Sequence, residues 1–533
     1  MMNTEDFEQF NRLGGLRVAI IGFGLGGLAI AVGLKRAAIE TFIVFEKNAG
    51  PGGTWWENTY PGAQVDTPSS MYCYSFKSNY DWPSTHANQP DILRYIEETI
   101  DDYGVRPHCR FSTSVRAVEW NEATHSYTVT TESGEALEFD IVVSAVGTLN
   151  RPAYPSWPGL DDFRGVKFHT ARWDHQLDMR GKRVAVVGTG STAVQVVSAI
   201  ATSVGKLLVF QREPGHIAPK GYRTLDAAER KLLLRSPVIR RFRRVRDWMG
   251  FHRRSAASTL GTTAAQQFKA MCEAHIAEKV RDPELRKALT PTYAFFCKRA
   301  VIDDNFYPTL NRDNVQLVPR AVERVTHTGL VDSAGVEHEI DVLIMATGFH
   351  ATDYLRSLHV RGRGGRSIHD VWETDARALM GLSVPGFPNF FILYGPNTNA
   401  GGSTIFQLEC QSRWIVETVK QMRRRKATAI DTKPSLFARF YRWIDKGNSR
   451  KAWSAGGCKR NYFVSPSGRV VTQWPYSMPT LWIASRVLRR IAYAYERLPV
   501  AQARKKALGQ QGFPTFESGP KLGEARSNSI RRG

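Results

Sequence analysis

The sequence predicts an α/β protein built on two βαβ units, the second inserted into the first, and three observations carry this. A glycine turn, Gly22-Phe-Gly24-Leu-Gly-Gly27, stands between an apolar run and a helix-forming run near the start of the chain. A second turn of the same kind, Gly188-Thr-Gly190-Ser191-Thr192-Ala193, recurs in mid-chain. An acid, an apolar run and a small-residue turn occur twice, at Asp140 to Gly147 and at Asp341 to Gly348. At 533 residues the chain has room for about three domains. With 42% hydrophobic and 23% charged residues it has the composition of a soluble globular protein, which excludes a disordered or fibrous chain.

Taken in order, Arg17-Val-Ala-Ile-Ile21 reads as a buried strand, the glycines as a tight turn, Leu28 to Lys35 as a helix and Thr41 to Phe45 as a second strand. The uncharged run from Val18 to Leu34 is broken by these glycines and is short for a membrane span. Glycine at 22, 24 and 27 allows the turn, the close approach of a pyrophosphate to the helix N-terminus, and helix–strand contact, while Glu46 can accept hydrogen bonds from a ribose. The second unit runs from the strand after Lys182 through its turn and helix to the strand Lys206 to Arg212. It ends on a guanidinium instead of a carboxylate, which suits a 2′-phosphate and therefore NADP over NAD.

Each acid–strand–turn echo can return the chain to a dinucleotide-binding, Rossmann-like fold. Two such folds in one chain suggest a flavoprotein in which NADPH delivers hydride to FAD. The expected division is an FAD domain at 1–150 and 346–502, an NADP domain at 151–220 and 291–345, a helical insertion at 221–290 and a basic tail at 503–533, read as disordered.

The 72 Lys and Arg against 50 Asp and Glu leave a net charge of +22, which raises nucleic acid or an anionic membrane as partners. Nucleic-acid binding does not account for two nucleotide motifs and is set aside. The six cysteines, at 73, 109, 272, 297, 410 and 458, form neither a C-x-x-C pair nor a zinc cluster. No metal is expected, a flavin disulfide reductase is excluded, and the thiols read as free in a reducing cytosol. The acidic start MMNTEDFEQFNR lacks the positive charge of a secretory signal, so a cytoplasmic location is expected.

Two further segments resemble a known family. Phe163-Arg-Gly165-Val-Lys-Phe-His169-Thr-Ala-Arg-Trp173-Asp174 matches the F-x-G-x-x-x-H-x-x-x-W-P/D fingerprint of type I Baeyer–Villiger monooxygenases, and Gly53-Thr54-Trp55 through Tyr60-Pro-Gly62 to Asp66 matches their second fingerprint. The resemblance runs from about Arg17 to about Arg490 and takes in Cys297-Lys298-Arg299, Ala346-Thr-Gly348-Phe, Tyr394 to Asn399 and Trp474-Pro475. His350 stands where an Asp commonly follows the A-T-G-F turn, and Gly402 stands near a position often held by His.

The resemblance implies that NADPH reduces FAD, that a peroxyflavin forms with dioxygen, and that its attack on a ketone yields an ester or lactone. It also implies that Arg299 stabilises the peroxide, Asp66 positions that arginine, and Lys298 joins Arg212 on the 2′-phosphate. A guanidinium suits the first task because it stays charged in a dry site. Further cofactor contacts are expected at Thr54, Trp55, Asp66, Tyr72, Val115, Ser191, Thr192 and Gln195. His169 and Trp173 read as structural. The runner-up is an N- or S-oxygenating flavin monooxygenase, against which Trp173-Asp174 weighs.

Two stretches have basic, amphipathic helical spacing. Val238, Phe242, Val245 and Met249 lie among Arg240, Arg241, Arg243, Arg244 and Arg246, and Ala484, Leu488, Ile491 and Tyr495 lie beside Arg486, Arg489 and Arg490. Such helices can lie on anionic lipid as a peripheral contact. The simpler expectation is an apolar stripe packed on the protein with a solvated charged face.

Overall fold

The computed structural model describes residues 16–498, apart from 79, 400 and 458–460. The acidic N-terminal stretch and the basic tail lie outside the described residues. In chain order the elements that position the site are β1 (Val18–Ile21), α1 (Leu25–Lys35), β2 (Phe42–Phe45), β3 (Cys109–Arg110), β4 (Ile141–Ser144), β5 (Val166–His169), β6 (Arg183–Val187), α2 (Ser191–Ile200), β7 (Lys206–Phe210), α3 (Ala227–Arg235), α4 (Pro237–Ala256), α5 (Thr263–Lys279), α6 (Pro283–Leu289), β8 (Val315–Val318), β9 (Val342–Met345), β10 (Phe390–Ile392), α7 (Thr404–Arg425) and α8 (Met478–Val487).

Two five-stranded parallel sheets result, in the orders β10-β4-β1-β2-β3 and β8-β7-β6-β9-β5. β1, β2, β4 and β9 are buried along their whole length, and uninterrupted β-branched and aromatic runs of this kind are what a sheet covered on both faces requires. Every strand of the second sheet falls in sequence between β4 and β10, neighbours in the first, so the second fold is inserted in the first. One core joins Val18 to Val143 with Leu379 to Tyr493 across that insertion.

The echo at 140 and 341 is structural. Asp140 accepts from the backbone N–H of Arg17 at 2.8 Å and from its Nε at 3.3 Å, and Asp341 accepts from Arg183 at the same two distances. Each acid thus ties the returning strand to the residue that opens the glycine-turn strand. The alanine after that strand is equally necessary. A Cβ on Gly22 would stand 2.8 Å from the Ala145 carbonyl oxygen, and one on Gly188 would stand 2.5 Å from that of Ala346.

Some boundaries differ from expectation. α1 begins at Leu25, not Leu28, because Gly24 is already its N-cap, and β7 ends at Phe210, leaving Arg212 beyond the strand. Segment 227–289 is helical, as α3 to α6. The stripe on α4 is not packed on the protein: Val238, Phe242, Val245 and Met249 are exposed. The C-terminal stripe does pack at Ala484, Leu488 and Tyr495, but α8 ends at Val487 and Tyr495 belongs to a strand, so it is not one helix face. Cys73, Cys109, Cys272 and Cys410 are free thiols, whereas Cys297 is disulfide-bonded, which corrects the reading of six free thiols. Cys458 lies outside the described residues. Among the described residues no helix is long and apolar enough to cross a membrane.

Candidate functional site

The first glycine turn opens α1 with Gly24 as N-cap, and no side chain caps the first N–H groups of the helix, which leaves them as donors for an anion. Gly22 has φ +98°, and a Cβ on Gly27 would lie 2.1 Å from the Gly22 carbonyl oxygen, so glycine at both positions is a steric requirement. Glu46 is buried at the end of β2, where its two oxygens accept from the backbone N–H groups of Phe23 at 2.7 Å and Asn48 at 2.9 Å. Burial pushes its carboxyl above the usual range, and the two backbone donors oppose this. It therefore braces the turn, and each oxygen keeps acceptor capacity for a ribose hydroxyl.

The 53–66 segment closes over this turn. A Cβ on Gly53 would stand 2.9 Å from the Gly24 Cα. Exposed Thr54 begins a short helix that carries Trp55, whose Nε1 donates to the Tyr72 hydroxyl at 3.0 Å with the rings edge to face. Burial pushes the Tyr72 phenol well up, so it stays neutral. Val115 is buried at the start of the strand Val115–Asn121.

The second turn repeats the design with less enclosure. Gly188 has φ +126°, Gly190 is the N-cap of α2 without a side-chain cap, and nothing lies within 4 Å of a Cβ at Gly190. Ser191 and Thr192 form the first turn of α2. Gln195 accepts from the Tyr60 hydroxyl at 3.1 Å and donates to the Gln64 carbonyl at 2.9 Å, which ties this helix to the 60–66 segment. Gly62 belongs to the same contact, since its Cβ would stand 2.8 Å from the Gln195 carbonyl oxygen. Arg212 is exposed and forms no ion pair among the described residues. Lys298 is paired with Glu213, next to Arg212 in sequence, and lies over the Tyr293 ring.

Between the two nucleotide turns the Arg299 Nη2 donates to Asp66 Oδ2 at 3.0 Å, joining residues 233 apart. The arginine side chain is 50% exposed and the aspartate 10%, and Asp66 Oδ1 is buried without a hydrogen-bond partner. Burial works against the charge of Arg299, but Tyr462, Asp66 and Tyr394 outweigh it and hold the guanidinium protonated. The structure adds residues that the motifs did not single out. Lys220 donates to Gln64 Oε1, and burial lowers its ammonium pKa while Asp66 opposes that shift. His86 is buried nearby, and burial together with the charge of Lys220 pulls its pKa down to about 4. A cavity of about 400 Å³ lies between the 69–84 loop and α3 and α4, lined in part by Ser69, Trp82, Leu233 and Arg240.

His169 is structural. It is fully buried, with Nε2 against the Gly348 carbonyl at 3.0 Å and Nδ1 accepting from Ala171 N–H at 3.1 Å. Trp173 packs edge to face on Phe168. At the Gly402 departure a Cβ would meet only the flexible Met478 side chain, at 2.9 Å, and His350 is exposed.

The fit to two dinucleotides rests on these features: two uncapped glycine N-termini, a buried ribose acceptor on one side, an unpaired guanidinium on the other, and an orphaned carboxylate oxygen between them. Residues 15–357 match the family model described as flavin-binding monooxygenase-like. A Baeyer–Villiger monooxygenase of Pseudomonas aeruginosa is 36% identical over 93% of this chain and 95% of its own length. Cyclohexanone monooxygenase from Rhodococcus sp. Phi1, solved bound to NADP+, superposes with a TM-score of 0.81 at 29% identity, covering 90% of this chain and 99% of that one. OTEMO in complex with FAD and NADP gives 0.81 at 25% identity with the same coverage.

Proposed function

This chain belongs to the flavin-binding monooxygenase-like family, and on that premise we propose that it is an FAD- and NADPH-dependent Baeyer–Villiger monooxygenase that inserts one oxygen atom of dioxygen into a ketone to give an ester or lactone. The observation that carries the reading is the Arg299–Asp66 pair, which sets a guanidinium between the two nucleotide turns and makes one site of them. Residues 1–150 and 346–502 hold FAD, through Gly22, Gly24, Gly27 and Glu46 with Thr54, Trp55, Tyr72 and Val115. Residues 151–220 and 291–345 hold NADPH, through Gly188, Gly190, Ser191, Thr192 and Gln195, with Arg212 on the 2′-phosphate. Residues 221–290 form the helical cap. Lys298 joins Arg212 there by exchanging Glu213 for phosphate.

When bound, reduced FAD supplies the electrons that activate dioxygen. The chain's own residues do the rest. Arg299 offers fixed donors to oxygen-borne negative charge as it develops, and Asp66 holds that guanidinium in place. Tyr72 and Tyr394, both kept neutral by burial, present hydroxyls without adding negative charge to the site. The partners are a small ketone and dioxygen. The test follows NADPH oxidation and product mass with linear, cyclic, aryl and steroid ketones and a thioether. Ester or lactone from at least one ketone is expected. Sulfoxide from the thioether with no ester from any ketone would move the chain to the heteroatom-oxygenating branch.

A further inference from the structure

α4 is an inside-out amphipathic helix. Val238 and Phe242 are 76% and 71% exposed, and Val245 and Met249 are both 49% exposed, so the apolar stripe faces outward. The polar face is turned to the protein: Arg240 donates to the Leu233 and Leu234 carbonyls at 2.7 Å, Arg243 pairs with Glu229 at 3.0 Å, Arg244 donates to the Ser70 and Cys73 carbonyls, and Asp247 accepts from Ser70 Oγ. Trp248 packs on the first core. These contacts pin the rotation of the helix, so the outward stripe is its settled orientation. A contiguous exposed apolar face of this kind marks a surface that something covers.

We propose that α4 docks this protein on an anionic lipid surface, lying in the interface plane with Val238, Phe242, Val245 and Met249 among the acyl chains and Arg241, Arg246 and Arg253 on the headgroups. Charge selects the occupant. Segment 227–256 holds ten Arg and Lys against two acids, Glu229 and Asp247, and both acids are already engaged in ion pairs. A second copy of the chain would set like charges against one another. The segment 503–533, with seven basic and two acidic residues, would do the same. Interfacial helices of about this length, basic and with an aromatic residue on the apolar face, bind by apolar burial together with attraction to anionic headgroups.

A second patch has the same chemistry. Trp482 is 43% exposed, Ile483 and Val487 are each 54% exposed and Ile491 is 51%, with the Arg486 guanidinium 3.5 Å from the centre of the Trp482 ring and Arg489 and Arg490 following. The helix that carries most of this second patch, α8, packs on α7. Tryptophan at the level of the headgroups is the usual interfacial anchor.

The experiment is flotation of the full-length, FAD-loaded protein with vesicles of phosphatidylcholine, with and without phosphatidylglycerol. The unmodified protein should float with the anionic vesicles, less with the neutral ones, and less as salt is raised. Phe242→Glu combined with Val245→Glu should lower partitioning by on the order of a hundredfold while NADPH oxidation with a water-soluble ketone is unchanged. Phe242→Ser with Val245→Ser, which adds no charge, is the second variant should the first fail to fold. The proposal is overturned if the unmodified protein stays with the soluble fraction, if both variants float as it does, if a chain ending at residue 502 binds where the full chain does not, or if light scattering shows a dimer that the variants dissolve. Loss of ketone oxidation with binding intact would count against the proposed reaction, not against docking.

Discussion

Removing the Arg299 guanidinium should separate its own role from that of Asp66. The two meet through one hydrogen bond of 3.0 Å, with the carboxylate 10% exposed and the arginine 50% exposed. A charge-assisted hydrogen bond contributes roughly 1.5–3 kcal/mol. Half exposure of the guanidinium reduces that by screening, to a coupling of about 1–2 kcal/mol, or roughly 5- to 30-fold. Arg299→Ala itself should lower ester formation by on the order of a hundredfold, the usual cost of one preorganised donor. If Asp66 acts through Arg299, Asp66→Ala lowers the rate by that 5- to 30-fold in the unmodified protein and by almost nothing in Arg299→Ala. The assay is ester formation by gas chromatography at saturating NADPH across the four proteins, with flavin content measured by absorbance. Flavin should remain in all four, because Glu46 and the first turn lie elsewhere. Rates for the double variant equal to the product of the two single effects would refute the coupling. Conversion at the unmodified rate by Arg299→Ala would remove the arginine from the site altogether.

Arg212→Ala should erase a preference for NADPH over NADH of about ten- to a hundredfold, measured as the ratio of kcat/KM values, and equal efficiencies in the unmodified protein would sink the assignment. Gly22→Ala should purify without flavin, since the added Cβ meets the Ala145 carbonyl at 2.8 Å in a φ +98° conformation; a yellow variant would contradict this. Heat or acid should release FAD from the unmodified protein, and flavin that stays with the denatured chain would show a covalent link instead. His86 resists protonation until about pH 4 when folded, whereas unfolded it takes a proton near 6.5. The unfolded state then binds more protons in that window, so stability falls as pH drops from 6.5 to 4, by at most about 3 kcal/mol. His86→Gln should flatten this limb in thermal unfolding measured against pH, and an unchanged limb would assign it to other groups.

What the sequence disclosed was local. The spacing of Gly22, Gly24, Gly188 and Gly190 lies within a few residues and so revealed both turns, although the carbonyls that Gly22 and Gly188 press against, those of Ala145 and Ala346, are distant in the chain; the echo at Asp140 and Asp341 revealed the returning strands. The junction is different. Asp66, Tyr60, Gln64, Lys220, Arg299 and Tyr462 come from segments far apart in the chain, and no periodicity links them; only the family fingerprint drew attention to Asp66 and Arg299. The Glu213 partner of Lys298 was out of reach for the same reason. On α4 the spacing showed that an apolar face exists but not which way it points. That depended on Arg244, Asp247 and Trp248, whose partners lie in the 70–73 loop and the first core.

The two nucleotide turns share one backbone solution, and their differences explain why one should retain its cofactor while the other exchanges it. Both use an aspartate to tie the returning strand to the first residue of the glycine-turn unit, and both press a glycine against an alanine carbonyl. At the first turn the 53–66 segment lies directly over Gly24, and the ribose acceptor Glu46 is buried and held by two backbone donors. A dinucleotide seated there is enclosed, and leaving requires that segment to move. At the second turn nothing stands near Gly190, and the residue in the place of Glu46, Arg212, is exposed. Its attraction for a phosphate is screened by water and its release needs no loop to open. A resident FAD beside an exchanging NADPH is the order of binding that a catalytic cycle with one permanent and one consumed cofactor requires, and here it follows from which turn the chain covers.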